Sequence, residues 1–306
     1  MTRWREATAS DPQLAGGERF ALDRCAACGS AVTVGDAPDR AAMYEGGTYT
    51  PARGAARSLL EPLRRLAERD RLRFLSRIEP GSRVLEVGAG DGKLVAAMRA
   101  AGLDARGLDP SPAACAAARE IGVEVANVGI DEADLPPASE DAVVVWHALE
   151  HFEEPRAALL RIRQWLRPGG TIVVAVPNLA SWQARIGGDR WFHQDVPRHR
   201  TQLTPNGAGA LLERSGYRVE RIRHLLVEQN PLGMWQTLLN RLTIERDFAF
   251  RLLKRDLGPA AGRARLLDLL ITAVAGPLLV PVALAAELAG GLAGHGGSIV
   301  IEARAV

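Results

Sequence analysis

The ten residues from Arg83 to Gly92, RVLEVGAGDG, constrain the fold of this chain more than any other stretch. They begin with a short apolar run, which is typical of a buried parallel strand. They end with glycines at alternate positions, Gly88, Gly90 and Gly92. The next residues, KLVAAMRAAG, place apolar side chains at helical spacing and finish with a glycine that suits a helix end. A strand, a glycine turn and a helix in this order predict the nucleotide-binding unit of a doubly wound α/β sheet.

Acidic residues near these glycines indicate which ligand the turn binds. Asp109 ends the next apolar run, roughly 20 residues past the first glycine, where a ribose-binding acid is expected. Its carboxylate can accept hydrogen bonds from both ribose hydroxyls. Asp91 lies inside the turn and would repel a pyrophosphate, although Lys93 lessens that repulsion. Together with Glu86, Asp91 favours an adenosine compound that has a positive end and no phosphate, and S-adenosylmethionine is such a ligand.

Strand and helix signals alternate along the rest of the chain. Apolar runs predict further strands at residues 104–109, 123–128, 141–146, 171–178, 217–225 and 298–303. Amphipathic segments predict helices at residues 57–78, 93–101, 112–121, 155–166 and 206–215. This alternation is typical of a parallel sheet. Residues 179–203 predict a long loop, and about the first 50 residues, rich in Gly, Asp, Ala and Pro, show little helical periodicity.

The motifs in this order resemble a known family. VLEVGAGDG followed by GLDPS is similar to the first two motifs of class I S-adenosylmethionine-dependent methyltransferases. DAVVVWHALEHFEEP and LRPGGTIVVAVPN resemble the motifs of the fourth and fifth strands, and the similarity is closest to the ubiquinone-biosynthesis-like branch. The resemblance implies a seven-stranded, mostly parallel, Rossmann-like sheet with helices on both faces. It also implies that the last strand lies antiparallel between the fifth and the sixth.

The resemblance further implies which residues hold the methyl donor, S-adenosylmethionine. The positions that match are Glu86, Gly88, Ala89, Gly90 and Asp109. Asp131, in the acidic loop after the third strand, matches a place near the adenine amino group. A solvated acidic loop without a ligand is an equally good interpretation of Asp131.

Histidines after the fourth strand are the candidate catalytic residues. Methyl transfer from a sulfonium needs alignment and exclusion of water, and it needs a base only for acceptors of high pKa. His147, Glu150 and His151 follow the central strand, and a helical turn there would put both histidines on one face. His151 is the favoured base. His199 and Trp191 are candidates to line the acceptor pocket; alternatively, the aromatic side chains of this stretch only pack it down, which is the commoner role of tryptophan. Alternatively, Glu150 and His151 only tie this turn to neighbouring loops; a metal is not expected.

The acceptor implied by the resemblance is a small or amphiphilic, lipid-like molecule, and its oxygen is favoured because the histidines offer a base. Carbon methylation of a nucleotide-linked sugar is one alternative. A non-catalytic binding or membrane-associated module on the same frame is another. A nicotinamide-dependent oxidoreductase is opposed by Asp91 and Lys93 in the turn.

The first 56 residues form a predicted segment of their own, marked by CAACG at Cys25 to Gly29. Two cysteines at this spacing hold half of a tetrahedral zinc site. FALDRCAACGSAV resembles the second half of the ribbon that some methyltransferases carry, whereas the first half is absent. A tight turn without metal is therefore the favoured interpretation of this degenerate ribbon.

Residues 226–295 form a predicted helical insertion within a methyltransferase domain of residues 57–225 and 296–306. The uncharged run from Leu269 to Ala286 is near the length of a membrane span, roughly 20 residues, but Gly276, Pro277 and Pro281 are expected to break it. Burial of residues 266–289 against the catalytic domain or a second copy is favoured. A broken hairpin at the membrane surface is the alternative.

Net charge and cysteine content limit which partners and which cellular compartment are expected. A formal net charge of +2 at pH 7 offers no electrostatic case for nucleic acid. Three cysteines do not make a disulfide framework, and the first residues lack the apolar core of a signal peptide. We therefore expect a cytoplasmic protein, with contact to the inner face of the membrane as an option.

Overall fold

The structure is a computed structural model that describes residues 1–9, 18–35, 68–227, 229–254, 257 and 262–306. Its strands are β1 (Thr2–Thr8), β2 (Arg19–Arg24), β3 (Ala31–Val34), β4 (Arg83–Val87), β5 (Asp104–Asp109), β6 (Val125–Asn127), β7 (Glu140–Trp146), β8 (Leu166–Pro177), β9 (Thr201–Gln202), β10 (Tyr217–Arg223) and β11 (Ser298–Ala305). Its α-helices are α1 (Lys93–Ala100), α2 (Pro112–Glu120), α3 (Pro155–Trp165), α4 (Trp182–Gly187), α5 (Pro205–Arg214), α6 (Asn230–Asn240), α7 (Phe248–Lys254) and α8 (Arg263–Leu292).

These elements form two compact units. The first contains Met1–Gly54, Pro177–Thr204 and His224–Ile299. The second contains Ala55–Val176, Pro205–Arg223 and Val300–Val306. The domain bounds proposed from the sequence stay a prediction.

The second unit is built on a seven-stranded sheet in the order β10-β11-β8-β7-β4-β5-β6. The pairs β4–β5, β5–β6, β4–β7 and β7–β8 are parallel, and β10–β11 is antiparallel. The α/β class and the insertion of the last strand between the fifth and the sixth are therefore confirmed. Continuous apolar runs suit the central strands because both sheet faces are covered: Val84, Leu85 and the run 143–145 are fully buried.

The helices of this unit begin and end close to their predicted bounds. Ser111 caps α2 by accepting a hydrogen bond from the Ala114 N–H at 3.3 Å, and Pro112 occupies the first turn. Of the helix predicted at 57–78, residues 68–73 are helical, and residues 57–67 lie outside the described part of the chain.

The strand predicted at 171–178 begins earlier, at Leu166. The Pro-Gly-Gly signal does end α3, at Trp165, but the chain continues directly as β8. Glu140 pairs with Leu166 and Ala142 pairs with Thr171, so residues 167–170 form a bulge in one continuous strand. Glycine and proline signals do not distinguish such a bulge from a loop.

The first unit contains a four-stranded antiparallel sheet in the order β1-β2-β3-β9. The loop predicted at 179–203 was wrong, because this stretch holds α4, two short 3-10 turns and β9. β2 alternates buried Phe20 and Leu22 with more exposed residues, and this period of two over a short segment was overlooked among turn-forming residues. Ala7, Ala9 and Val196 complete a small apolar core with these side chains.

The first unit also carries α6, α7 and α8. The break predicted at Gly276, Pro277 and Pro281 was wrong, since α8 is one continuous helix of 30 residues. It packs along α6, where Trp235 donates its Nε1–H to the Gly276 carbonyl at 2.8 Å. Only 11% of the most apolar window of α8 is buried within the chain, so the burial of residues 266–289 against a second copy stays a prediction.

Candidate active site

The glycine turn joins β4 to α1 and is held against β5. The backbone N–H groups of Gly88 and Ala89 both donate to the Leu108 carbonyl, each at 2.9 Å. Gly88 has φ 77°, a left-handed conformation that glycine adopts at little cost. A Cβ atom on Gly88 would lie 2.6 Å from the Cβ of Ala148, so only glycine lets the loop after β7 come this close.

Gly90 marks the open side of the same turn. A Cβ atom added there would meet nothing within 4 Å. The Gly90 N–H donates to Oδ2 of Asp109 at 2.8 Å, which ties the turn to the end of β5. The turn therefore has a packed side at Gly88 and an accessible side at Gly90.

Asp109 lies half-buried at the end of β5, where the sequence predicted it. Its Oδ1 accepts a hydrogen bond from the Ser111 N–H at 2.9 Å, in addition to the Gly90 contact of Oδ2. A carboxylate offers about four acceptor positions, so these contacts orient Asp109 and are compatible with hydrogen bonds from ribose hydroxyls.

Glu86 is buried at the end of β4, with 3% of its surface exposed. Burial raises the pKa of its carboxyl to about 8; Asp91 and Asp109 add to this effect, while Arg71 opposes it. Oε2 of Glu86 has no hydrogen-bond partner among the residues that the structure describes. An ammonium group would supply both the missing donor and a compensating charge. The residues of the turn therefore fit the amino-acid end of S-adenosylmethionine.

Two further acids of the predicted site are accessible. Asp91 forms a close ion pair with Lys93, which reduces the negative charge inside the turn. Asp131 is exposed in the turn that follows β6. Strand β6 is the neighbour of β5 in the sheet. Its contact with adenine stays a prediction.

His147 and Glu150 form a pair directly after β7. The His147 N–H donates to the Ala175 carbonyl at 2.9 Å, which extends the strand pairing by one residue. Nδ1 of His147 lies 3.2 Å from Oε1 of Glu150, whose side chain is buried. An ionised Glu150 only accepts, so in that state Nδ1 carries the proton of the neutral ring and Nε2 is the basic nitrogen.

A helical turn that would place His147 and His151 on one face does not form after β7. Only Leu149 to His151 form a 3-10 turn, and His147 precedes it with φ 51°, a left-handed conformation that is rare outside glycine. Since the strand ladder holds His147, it cannot join the turn. The half-buried His151 donates its backbone N–H to Ala148, and its role as base stays a prediction.

Trp146 and Arg71 belong to this region and were not identified from the sequence. The Phe74 ring centre lies 5.9 Å from that of Trp146, and the Arg71 guanidinium lies 5.7 Å from the same ring centre. The position of Trp146 at the carboxyl end of a central strand was the available signal, because ligands bind at that edge of α/β sheets.

His199 and Trp191 belong to the first unit. His199 is buried, and its Nδ1 lies 2.8 Å from the His193 carbonyl oxygen. Trp191 is fully buried against Leu179 and Ala184, and its Nε1–H donates to Gln183 at 3.4 Å. The expectation that Trp191 walls an acceptor pocket was therefore wrong, because it packs its own segment.

Cys25 and Cys28 lie in the turn between β2 and β3 as free thiols. The backbone N–H of Cys28, followed by that of Ala27, lowers the pKa of Cys25 by hydrogen bonding. No third histidine, cysteine or carboxylate joins the two thiols within the described residues. The zinc-ribbon remnant stays a prediction.

The chain matches the family described as a methyltransferase domain over residues 59–222. It is 30% identical over 173 residues to a ubiquinone biosynthesis O-methyltransferase of Xanthomonas axonopodis pv. citri (strain 306), which covers 52% of this chain and 72% of the relative. It is 33% identical over 145 residues to a probable S-adenosylmethionine-dependent methyltransferase of Mycolicibacterium smegmatis, which covers 46% of this chain and 53% of the relative.

Among solved structures, a SAM-dependent methyltransferase of Archaeoglobus fulgidus is similar to this chain with a TM-score of 0.51. The two are 17% identical, and the similarity covers 82% of this chain and 100% of that chain, which supports the fold alone. The family match spans more than half of the present chain, on a sheet with the strand order described above. The chain therefore belongs to the class I S-adenosylmethionine-dependent methyltransferases, and S-adenosylmethionine is its cofactor.

Proposed function

We propose that this methyltransferase methylates a hydroxyl oxygen of a small or amphiphilic acceptor. The observation that carries the proposal is the pairing of His147 with Glu150 at 3.2 Å. Ala148, the neighbour of His147 in the chain, packs directly on Gly88 of the donor turn. A base oriented by a carboxylate thus lies beside the turn that would hold the methyl donor, and a base is what a hydroxyl acceptor requires.

In the proposed reaction, bound S-adenosylmethionine supplies an electrophilic methyl group with a good leaving group. Glu86 would hold the ammonium end of the donor, Asp109 would hold its ribose, and the turn with Gly88, Ala89 and Gly90 would hold the part between them. Nε2 of His147 would take the hydroxyl proton while the acceptor oxygen bonds to the methyl carbon, and the electron pair of the broken C–S bond would remain on sulfur. Glu150 stabilises the imidazolium that results.

The matched relative named above as a ubiquinone biosynthesis O-methyltransferase transfers methyl to oxygen according to its name. That similarity supports oxygen over carbon as the acceptor atom here. C-methylation of a nucleotide-linked sugar is the alternative, motivated by the Cys25–Cys28 turn and its likeness to half of a ribbon. A non-catalytic binding module on the same frame is the third possibility.

We further propose a cytoplasmic location, since Cys25, Cys28 and Cys115 are all free thiols. Residues 266–289 contact either a membrane surface or a second copy of the chain in this proposal. Neither contact is needed for the chemistry at His147.

The test uses methyl-deuterated S-adenosylmethionine with two acceptor sets, alkylated catechols and nucleotide-linked hexoses. Label in a methoxy group of a catechol supports the proposal. Label on a sugar carbon overturns it in favour of the alternative, and donor binding without turnover of either set favours the non-catalytic module.

The His147 role is tested by His147→Asn, because asparagine tolerates the left-handed backbone of this position and lacks the base. We expect kcat to fall about 100-fold or more with an unchanged Kd for S-adenosylmethionine. His151→Ala is the matched comparison. A larger loss of kcat in His151→Ala than in His147→Asn would transfer the role of base to His151.

A further inference from the structure

Helix α8 is attached to the first unit through carboxylates near both of its ends. Asp268 is fully buried and accepts hydrogen bonds from the backbone N–H groups of Ile244 at 2.7 Å and Glu245 at 2.8 Å. Glu287, with 2% exposed, accepts from Gln183 Nε2 at 2.6 Å and from the Gly297 N–H at 3.1 Å. These are the only acids between residues 262 and 292. The helix therefore turns both of its carboxyl groups inward.

This attachment to one unit at both ends opposes a transmembrane orientation for α8, although the helix is long and apolar enough for one by length and composition. At 1.5 Å per residue, Asp268 and Glu287 are about 28 Å apart along the axis, which is close to the roughly 30 Å hydrocarbon thickness of a bilayer. A spanning helix would carry at least one of these carboxylates, with its polar partners, into hydrocarbon. The helix instead lies lengthwise on its unit.

The outer side of α8 is apolar and exposed. Its large exposed side chains, which we call the α8 ridge, are Leu266, Leu267, Leu269, Leu270, Val274, Leu278, Val280, Val282, Leu284, Leu288 and Leu292. Leu266 and Leu278 are 69% and 68% exposed. At 3.6 residues per turn the ridge spans about 220° of the helix circumference. Contiguous apolar surfaces of this kind mark interaction sites.

The breadth of the ridge favours lipid over a second copy of the chain. One helix packed on another covers a stripe of roughly 100° or slightly more, so a partner helix would leave the flanks of the ridge in water. Lipid tails, by contrast, can surround a convex surface. The charge also agrees: the exposed Arg263 and the half-buried Arg265 begin the helix, and the ridge carries no acid. Positive side chains beside an apolar face favour anionic headgroups.

We propose that the α8 ridge docks this protein on the surface of an anionic lipid bilayer, with the helix parallel to the membrane plane. The docking is independent of the acceptor that the enzyme methylates.

The test is flotation of the full chain with phosphatidylcholine vesicles, with and without phosphatidylglycerol. We expect the wild-type chain to float with the anionic vesicles. Leu270→Gln/Leu278→Gln should lower the vesicle-bound fraction about tenfold or more. The matched control is Ile121→Gln/Leu160→Gln, which changes two exposed apolar side chains of the other unit and should float like the wild type. Unchanged melting temperatures and donor affinities verify that both variants fold.

A second ridge pair, Leu284→Gln/Leu288→Gln, should show the same loss. Arg263→Gln should reduce the preference for phosphatidylglycerol. A wild-type chain that stays unbound, or ridge variants that float as well as the wild type, would overturn the proposal. So would a wild-type dimer in sedimentation that the ridge variants convert to monomer, since a second copy would then be the occupant.

Discussion

Two buried carboxyl groups, Glu86 at the glycine turn and Asp268 on α8, differ in how many of their oxygens accept hydrogen bonds. Both oxygens of Asp268 accept backbone N–H groups, from Ile244 and Glu245. Oε2 of Glu86 has no such partner within the described residues, and burial raises its pKa to about 8. A buried carboxylate costs free energy unless it is hydrogen-bonded or paired. We therefore infer that Asp268 stabilises the fold, whereas Glu86 is suited to bind a cationic ligand.

The glycine turn and α8 also differ in how closely neighbouring side chains approach a glycine. A Cβ on Gly88 would lie 2.6 Å from Ala148, but a Cβ on Gly276 would lie 3.5 Å from the Trp235 ring. The first distance forbids a side chain without movement, and the second is an ordinary contact. The donor turn is therefore the less tolerant of the two regions.

The largest expected effect is that of Gly88→Ala. A left-handed alanine costs about 1–2 kcal/mol, and the clash with Ala148 adds roughly 1–3 kcal/mol. Gly122→Ala is the matched control, because Gly122 has the same φ of 77° and open space around it. Chemical denaturation measures both. Equal losses in the two variants would contradict the tight approach at Gly88.

Asp268→Ala should destabilise the protein by about 3 kcal/mol, because it leaves two backbone N–H groups without their acceptor. Asp268→Asn keeps one acceptor oxygen and should cost about half as much. Thermal unfolding gives both values. A loss below 1 kcal/mol for the alanine variant would show that water replaces the carboxylate and that this end of α8 is not anchored.

Glu86→Gln, unlike Asp268→Ala, should change the stability only weakly. It should lower the affinity for S-adenosylmethionine 10- to 100-fold, which corresponds to roughly 1.4–2.8 kcal/mol. Because Glu86 is protonated in the free protein below about pH 8, binding of the cationic donor should release a proton near pH 7. Calorimetry in buffers of different ionisation enthalpy measures that release. Proton release that persists in Glu86→Gln would assign it to another group.

The pKa of Glu86 also predicts the pH dependence of stability. The pKa of its carboxyl is about 8 in the folded protein and 4.5 when unperturbed. Between pH 4.5 and pH 8 the folded state therefore binds this proton more tightly than the unfolded state does. The contribution of Glu86 to the free energy of unfolding should therefore decrease as pH rises from 4.5 to 8. Glu86→Gln should remove that decrease, and unfolding curves across this range measure it.

The smallest expected effect is that of Trp235→Phe, which removes the hydrogen bond to the Gly276 carbonyl while keeping an aromatic ring. We expect a loss of about 1 kcal/mol in thermal unfolding. Trp165→Phe, on α3 of the other unit, is the control, because it makes the same substitution away from α8. A drop in helix content by circular dichroism would show that Trp235 is required to keep α8 continuous.

Several features of the site could be predicted because each depends only on residues close together in the chain. The spacing of Gly88 and Gly90 and the position of Asp109 depend on one strand, one turn and the next strand, and the structure places Gly90 in hydrogen-bond contact with Asp109. The sequence named His147 and Glu150 as candidates, but it did not predict their pairing with each other, which depends on a hydrogen bond from His147 to Ala175 on a neighbouring strand.

The sequence by itself determined the alternation of strands and helices, the glycine turn and the family, because apolar periodicity and glycine spacing are local properties of the chain. Tertiary structure decided the pairing of β3 with β9, the continuity of α8 through Pro277 and Pro281, and the exposure of its leucines. Each of these depends on contacts between segments far apart in the chain. The free energy of such contacts outweighs local preference, so no short window of sequence contains them.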